Sequence, residues 1–546
     1  MINLSVILVA DVTMHPLDVC VFAGYLLVLL SIGAFVSYRH RKSEDLFLGG
    51  RSMGWSNVGL SIFGTNIGPT FLIATCGAGY TTGMVRANFE WMAWVFLFLL
   101  GMVFVPFYLN TKISTMPEFM NKRFGRGCYT FMSFYALLGT VILWIGGTLF
   151  AGGALLAQLM GWELMTCIWL LAVIAASFTI AGGLVAVMVT DSFQSVLMII
   201  GAATLSIMAA TQLESFSDLV NLRCGDTPSN LTWKLFHPAG SSNPWYAFVL
   251  GYPVISLWFW CSDQTIVQRA LGAKNLKHSQ GGTLFAAFLK IVPPFIFLLP
   301  GIFAAQLLPG IKDEKQVFLT MVDTYLPPGL VGLIVSVLVA AVISTLDSGL
   351  NSFSTIFTLD IYKRWMEPRA AEHKIKQIGR ITTVVSALMA VGVAWALNEV
   401  KDKDLFDLFQ SIIGYMAPPV SAVFVLGIFW KRSTAKAALM TLIVGSIVSL
   451  SIGYCDITKK FVDEAGNNIF PHFLLLSFYL FCGIMIFMIV TSLLTRHSTS
   501  ETPLPTLRQT YRENPGLGPL GLAGWVLLAV IMVGLYLFFQ FGMKVK

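Results

Sequence analysis

Between residues 61 and 70 the chain reads Ser-Ile-Phe-Gly-Thr-Asn-Ile-Gly-Pro-Thr in the middle of an otherwise apolar run. Pro69 has no N–H to donate to the carbonyl of Thr65 four residues back, and Gly64 and Gly68 loosen the same turn. Unpaired carbonyls are costly in lipid, so a helix break survives where its oxygens line a cavity or meet a ligand, and a dehydrated alkali cation suits them. A plain proline kink repaired by neighbouring helices is the competing reading. Farther on, Ser344, Thr345, Asp347, Ser348, Asn351 and Ser352 follow the apolar stretch Val337-Leu338-Val339-Ala340-Ala341-Val342-Ile343. At helical spacing Ser344, Asp347, Ser348 and Asn351 share one face. A lone membrane serine bonds back to its own helix, but so many oxygen-bearing side chains in so short a stretch exceed that use. Hard oxygen donors of this kind suit sodium.

Charged side chains inside apolar runs are expensive and are functional candidates by default. Arg86 and Glu90 stand four apart near the end of their runs, where an i,i+4 ion pair is the plain reading. Asp191 opens a run as Thr190-Asp191-Ser192-Phe193-Gln194, a position that an N-cap also takes. Lys290 lies too deep in its run for a loop charge, with snorkelling or a pair with Asp263 as the alternatives. Gln410 offers an amide and Trp258-Phe259-Trp260 offers flat rings. Hydrogen bonds to hydroxyls and stacking on a C–H face are how proteins hold polyhydroxylated rings, although such aromatics also serve as packing or membrane-interface residues.

These side chains need elements that hold them at membrane depth. Of 546 residues, 56% are hydrophobic and 12% charged, with a mean hydropathy of +0.76, whereas soluble domains carry about 25% charged residues. Abundant aromatics, glycine without a three-residue period and 8 cysteines in the whole chain exclude disorder, collagen and a disulfide scaffold. The net charge of +7 comes from Lys and Arg in short loops between apolar runs, which is a topology signal rather than a nucleic-acid footprint. Runs long enough to cross a bilayer number about 14. The basic groups Arg39, Arg41, Lys42 and Arg51, then Lys112, Lys122, Arg123 and Arg126, then Lys363, Arg364 and Arg369 fall on one side. The positive-inside rule makes that side cytoplasmic and puts both termini outside. The first run has no basic stretch before it and stops at Tyr38-Arg39-His40-Arg41, so it reads as a membrane helix rather than a secretory signal.

The longest external connection, 213–244, leaves no room for a soluble catalytic or signalling domain. It carries Asn230-Leu231-Thr232, a glycosylation acceptor in a eukaryotic host. Cys224 and Cys455 fall in external loops where they are able to meet, and the other cysteines read as small hydrophobes without a metal or redox site. No paired titratable groups sit with a nucleophile, so the chain does not read as an enzyme.

Several stretches resemble the sodium/solute symporter family, and most closely its sodium–sugar branch. They are Asn88-Phe89-Glu90-Trp91, Thr115-Met116-Pro117-Glu118-Phe119, Thr190-Asp191 with Gln194, Trp258-Phe259-Trp260-Cys261-Ser262-Asp263-Gln264, Ile266-Val267-Gln268-Arg269, and Asn351-Ser352-Phe353-Ser354-Thr355-Ile356-Phe357-Thr358-Leu359-Asp360-Ile361-Tyr362. The resemblance implies an all-α integral membrane protein of LeuT type, with two inverted five-helix repeats and broken helices around a midplane site. The divisions it implies are an extra helix in 1–44, repeats in 45–212 and 245–430 on either side of the external loop, and peripheral helices in 431–546. It also implies a main sodium site from the backbone oxygens of Gly64, Ile67 and Ala341 with the hydroxyls of Ser344 and Thr345. A second sodium site would use Asp191 with Ser344, Asp347 and Ser348, where Asp347 departs from the family's hydroxyl and is suited to a stronger ion site or to a proton.

The substrate groups implied by the resemblance are Asn66, Glu90, Lys290 and Gln410, with Trp258, Phe259 and Trp260 as ring contacts and inner gate. Phe71, Ser256 and Phe259 stand where relatives carry more polar residues, each losing a contact worth about 1–3 kcal/mol. Arg86, where relatives are apolar, would contact the carboxylate of a sugar acid if it faced the cavity. The expectation is a sodium-coupled symporter in the cell membrane, with the lipid bilayer, sodium and a small sugar or polyol as its partners and no nucleic acid. The alternatives are an organic-anion symporter and a solute sensor or solute-gated channel on the same scaffold.

Overall fold

A computed structural model of the chain describes residues 15–39, 46–213, 222–225, 227–398, 405–462, 468–496 and 507–543. Arg41 and Lys42, counted among the basic loop residues, lie outside the described residues. The architecture is all-α, and no β-strand occurs among the described residues. The helices used below are α1 (Pro16–Arg39), α2 (Trp55–Asn66), α3 (Pro69–Thr82), α4 (Asn88–Trp91), α5 (Arg126–Met160) and α6 (Leu164–Thr211). After the external loop come α7 (Trp245–Cys261), α8 (Gln264–Leu271), α9 (Leu276–Leu289), α10 (Leu330–Ile356) and α11 (Glu372–Asn398). The chain closes with α12 (Leu405–Phe429), α13 (Ala435–Ile457), α14 (Phe473–Leu494) and α15 (Gly518–Leu537).

Eleven helices among the described residues are long and apolar enough to cross a membrane, fewer than the about 14 runs read from the sequence. The counts part where neighbouring runs join. Phe71–Asn110 and Leu164–Thr211, 40 and 48 residues long, each take in residues of two runs, and Trp245–Cys261 is shorter than the others at 17 residues. At about 1.5 Å per residue α6 would reach about 72 Å, more than twice a hydrocarbon core of about 30 Å. It is therefore bent. Gly183 has φ +57°, and a Cβ there would lie 2.4 Å from the Leu46 carbonyl oxygen, so only glycine lets the segment before α2 fold back against the bend. Leu184 donates its N–H to that same carbonyl at 3.0 Å.

The most extensive interface joins α6 and α10, with α2 packed between α6 and α9. Nearly every residue of α10 is buried, as its mixed apolar and polar faces require. The extra helix α1 lies across α6 and α10 and is tied to the latter by Asp18. Asp18 Oδ1 accepts the N–H groups of Gly329 at 2.6 Å and Gly332 at 2.7 Å, satisfying donors that the start of α10 would otherwise leave unpaired. Helices α12, α13 and α14 pack against one another and reach the core through α7, while α15 rests on α9 with most of its surface outward. All eight cysteines are free, so Cys224 and Cys455 do not form a bridge. Cys224 is buried in the external loop, whereas Cys455 is partly exposed in the last turns of α13.

Candidate functional site

The break expected at Pro69 is present. Ile67 (φ −87°, ψ 84°) and Gly68 (φ −85°, ψ 168°) leave the helical region, and Pro69 begins α3 where its missing N–H does no harm. Directly beside the break, Thr345 of α10 donates to the Thr65 carbonyl at 3.4 Å or to its own Ala341 carbonyl at 3.0 Å. Thr65 Oγ1 and Ser348 Oγ share a hydrogen bond at 3.0 Å. Gly64 lets α2 lie close to both neighbours, since a Cβ there would lie 2.4 Å from Ser195 Oγ of α6 and 3.2 Å from Ser344 Oγ of α10. The turn containing Gly64 and Ile67 thus meets the turn containing Ala341, Ser344 and Thr345. All five residues are buried.

Asp191 does not cap a helix. It lies well inside the second half of α6, where its carboxylate accepts from Ser61 at 2.6 Å and Ser344 at 2.7 Å and faces Arg269 of α8 at 3.5 Å. Arg269 also bonds Ser348 and the Thr265 carbonyl. The residues grouped in one second ion site are therefore divided. Asp191, Ser344 and Ser348 share a network, whereas Asp347 turns to the other half of α6, where Thr179 Oγ1 lies 3.4 Å from its Oδ1. Its Oδ2 has no hydrogen-bond partner among the described residues. The spacing that put Asp347 on one face of α10 with Ser344 and Ser348 is too coarse to separate neighbours about 100° apart on the helix.

A cavity of about 170 Å³ adjoins the break. Asn66, Phe71, Glu90, Ser256, Trp258, Phe259, Trp260 and Gln410 line it, as do Thr65 and Thr345 of the junction just described. Lys290 stands behind this wall. Its ammonium bonds Asn66 Oδ1, holds Glu90 Oε2 at 2.7 Å and lies 5.0 Å from the Trp260 ring. Glu90 thus pairs with Lys290, and neither the Arg86–Glu90 nor the Lys290–Asp263 pairing considered from the sequence is the one adopted. Arg86 does not line the cavity; its guanidinium lies over the Phe89 ring at 5.9 Å.

Three wall residues with hydrogen-bonding groups escaped the sequence reading. Trp144 of α5 stacks on Phe259 with centroids 5.3 Å apart and planes 25° from parallel, and its indole N–H donates to Asp263 Oδ2 at 3.3 Å. Asp263 is itself fixed, because its Oδ1 caps α8 through the Thr265 N–H at 2.9 Å. Tyr252 of α7 donates to the Phe89 carbonyl at 2.6 Å, and Thr148 supplies a hydroxyl one turn beyond Trp144. Each lies in an apolar run, where a lone aromatic or threonine reads as packing.

The motifs quoted from the sequence also hold one another at the same end of the bundle. Thr115 accepts the Glu118 N–H at 3.2 Å while donating to Asp360 at 2.9 Å, and Gln264 accepts the Met116 N–H at 2.8 Å. Gln268 donates to Thr355 and accepts from Ser352, at 2.8 and 3.1 Å.

A family model described as the sodium:solute symporter family matches residues 46–445. Among curated proteins, sodium/glucose cotransporter 4 of Danio rerio is 31% identical over 91% of this chain and 80% of its own length. Sodium/myo-inositol cotransporter of Mus musculus is 33% identical over 90% of this chain and 74% of its own. Among solved structures, a Na+-coupled sialic acid symporter in a substrate-bound outward-open state superimposes with a TM-score of 0.76 at 22% identity, covering 89% of this chain and 99% of that one. Mhp1, a nucleobase-cation-symport-1 family transporter, superimposes at 0.51 with 14% identity, covering 88% of this chain and 98% of that one. The shared fold is the LeuT type, and by the match over most of its length the chain belongs to the sodium:solute symporter family.

Proposed function

We propose that this protein imports a small neutral sugar or polyol together with sodium, by alternating access. The observation that carries this reading is the sharing of Thr65 and Thr345 between the helix break and the cavity wall. An ion held by the carbonyls of Gly64, Ile67 and Ala341 and the hydroxyls of Ser344 and Thr345 would join α2 to α10. The adjacent Asn66 is thereby set in the cavity wall, so ion binding forms part of the substrate site. Sodium binds from outside, the substrate follows, and both leave to the cytoplasm when the Phe259 side of the cavity opens. The names of the curated relatives, which carry glucose or myo-inositol, support the substrate class.

The pairing of Lys290 with Glu90 makes the wall nearly neutral, which favours a neutral solute. Asn66, Glu90 and Gln410 offer hydrogen-bonding groups, while Trp258, Phe259, Trp260 and Phe71 offer faces for C–H groups. Arg86 lies over the Phe89 ring of this wall without itself lining the cavity, so the sugar-acid reading has less behind it. Asp191 with Ser344 and Ser348 is our candidate for a second ion. One charge across about 100 mV supplies roughly 2.3 kcal/mol and a tenfold gradient adds about 1.4. One sodium therefore drives accumulation on the order of several-hundred-fold and two on the order of 10⁵.

The placement of the basic loops supports a cytoplasmic face at the start of α2 and the end of α10, with both termini outside. We assign the two inverted repeats to 45–212 and 245–430. The deciding experiment for substrate class is competition for sodium-dependent uptake in proteoliposomes by neutral sugars, polyols, uronates and sialic acid. Competition by the neutral compounds supports the proposal, and competition by the acids alone would contradict it.

A further inference from the structure

Away from the transport cavity, a second hollow of about 390 Å³ opens on the outer face between α2, α9 and α15. Trp55, Leu284, Phe285, Phe288 and Leu520 form its walls, and Lys277 and His278 stand at one end. Trp55 packs edge-on against Phe285 at 5.2 Å yet remains 49% exposed, and Leu520 is 85% exposed. The apolar walls therefore face outward. From Lys277 to Phe288 along α9 the groove runs about 16 Å at about 1.5 Å per residue. One leaflet of a hydrocarbon core of about 30 Å is about 15 Å deep. The groove thus has a polar mouth at one level and an apolar floor for one leaflet's depth, which is the profile of a phospholipid.

The mouth selects charge. Lys277 is exposed, and the stretch Lys274-Asn275-Leu276-Lys277-His278 runs on to Phe288 without an acidic residue. His278 Nδ1 accepts the Trp55 N–H at 3.3 Å, so the neutral ring carries its proton on Nε2 and has a donor left for a phosphate oxygen. The far wall is pinned at the same level, because Gln280 accepts the Leu517 N–H at 2.9 Å and donates to Tyr511 at 3.0 Å. An ammonium and an imidazole N–H above an apolar channel match an anionic headgroup with its acyl chain below.

We propose that this groove binds an anionic phospholipid, with its phosphate at Lys277 and His278 and one acyl chain along Trp55, Phe285 and Phe288. The lipid would fill the space between the peripheral α15 and the first half of the broken helix. The test uses the full chain purified in detergent, with native mass spectrometry comparing retained phosphatidylglycerol and phosphatidylcholine of identical chains. Preferential retention of phosphatidylglycerol, lost in Lys277→Glu and kept in Lys277→Arg, is the expected result. Equal retention of the two lipids, or a preference unchanged by Lys277→Glu, would overturn it. A second measurement does not depend on the variants at Lys277. Brominated-chain phosphatidylglycerol should quench the fluorescence that Trp55→Phe removes more strongly than brominated phosphatidylcholine does, and equal quenching would refute the assignment. Neither readout requires transport, so the groove and the symporter reading stand or fall separately.

Discussion

Thr345 has one proton and two carbonyls within reach, Thr65 at 3.4 Å and Ala341 at 3.0 Å, so its oxygen lone pairs remain available to an ion at the break. Thr345→Ala removes that oxygen while leaving the helix intact. We expect the sodium concentration for half-maximal uptake to rise at least about tenfold, the equivalent of about 1.4 kcal/mol, and an unchanged sodium dependence would exclude the hydroxyl as a ligand. Trp144 separates two roles. Trp144→Phe keeps the stack on Phe259 but loses the hydrogen bond to Asp263, whereas Trp144→Ala loses both. Substrate KM should rise modestly in the first and strongly in the second, and equal KM values in all three proteins would show that the ring does not support the gate. At this scale the sequence displayed the residues that break a pattern. Pro69 within an apolar run, Lys290 at depth and the hydroxyls after Ile343 all stand out by type. Trp144 and Tyr252 belong to the same chemical class as lipid-facing residues, so their place in the wall emerges only from packing. Asp347 was visible as a carboxylate, but its turn toward Thr179 depends on one helical step that periodicity does not resolve.

Helix ends and bends carry the next level of the account. Asp18 holds the start of α10, whose far half bears Ser344 and Thr345, through two backbone N–H groups. Asp18→Ala leaves those donors without their carboxylate and should lower stability by about 0.5–2 kcal/mol, as loss of a cap does. A thermal unfolding midpoint equal to that of the unmodified protein would refute this role for the extra helix. Element positions were readable wherever a proline, a glycine or a basic cluster interrupted the hydropathy. The junctions inside Phe71–Asn110 and Leu164–Thr211 fall where the sequence reading parted neighbouring runs, and the backbone leaves the α-helical form at both, in a 3-10 turn over Gly83–Ala87 and at Gly183. At Gly183 the bend is visible only as a positive φ pressed against Leu46, a contact with a residue distant in sequence.

For the whole molecule, the helix break and the cavity lie where α2 and α10 meet, with both helices packed on α6 and α2 also on α9. The orientation we assign is open to direct labelling. Ser242→Cys, at an exposed position in the external loop, should react with an impermeant maleimide in intact cells, and Lys277→Cys only after permeabilisation. The opposite pattern would invert the topology. Burial pushes the Cys224 thiol up to about 12, so it should stay unlabelled near neutral pH until the protein unfolds. Fold class was legible from composition alone, since few charges and long apolar runs admit little besides a helical membrane bundle, while the pairing of Glu90 with Lys290 across 200 residues was not. The most direct test of the central claim is tracer accumulation in proteoliposomes bearing a sodium gradient, using a labelled sugar found in the competition panel, for the unmodified protein and for Ser344→Ala combined with Thr345→Ala. Sodium-driven accumulation in the first and its loss in the second is the predicted result. Accumulation that persists in the double variant with the same dependence on sodium would contradict the account.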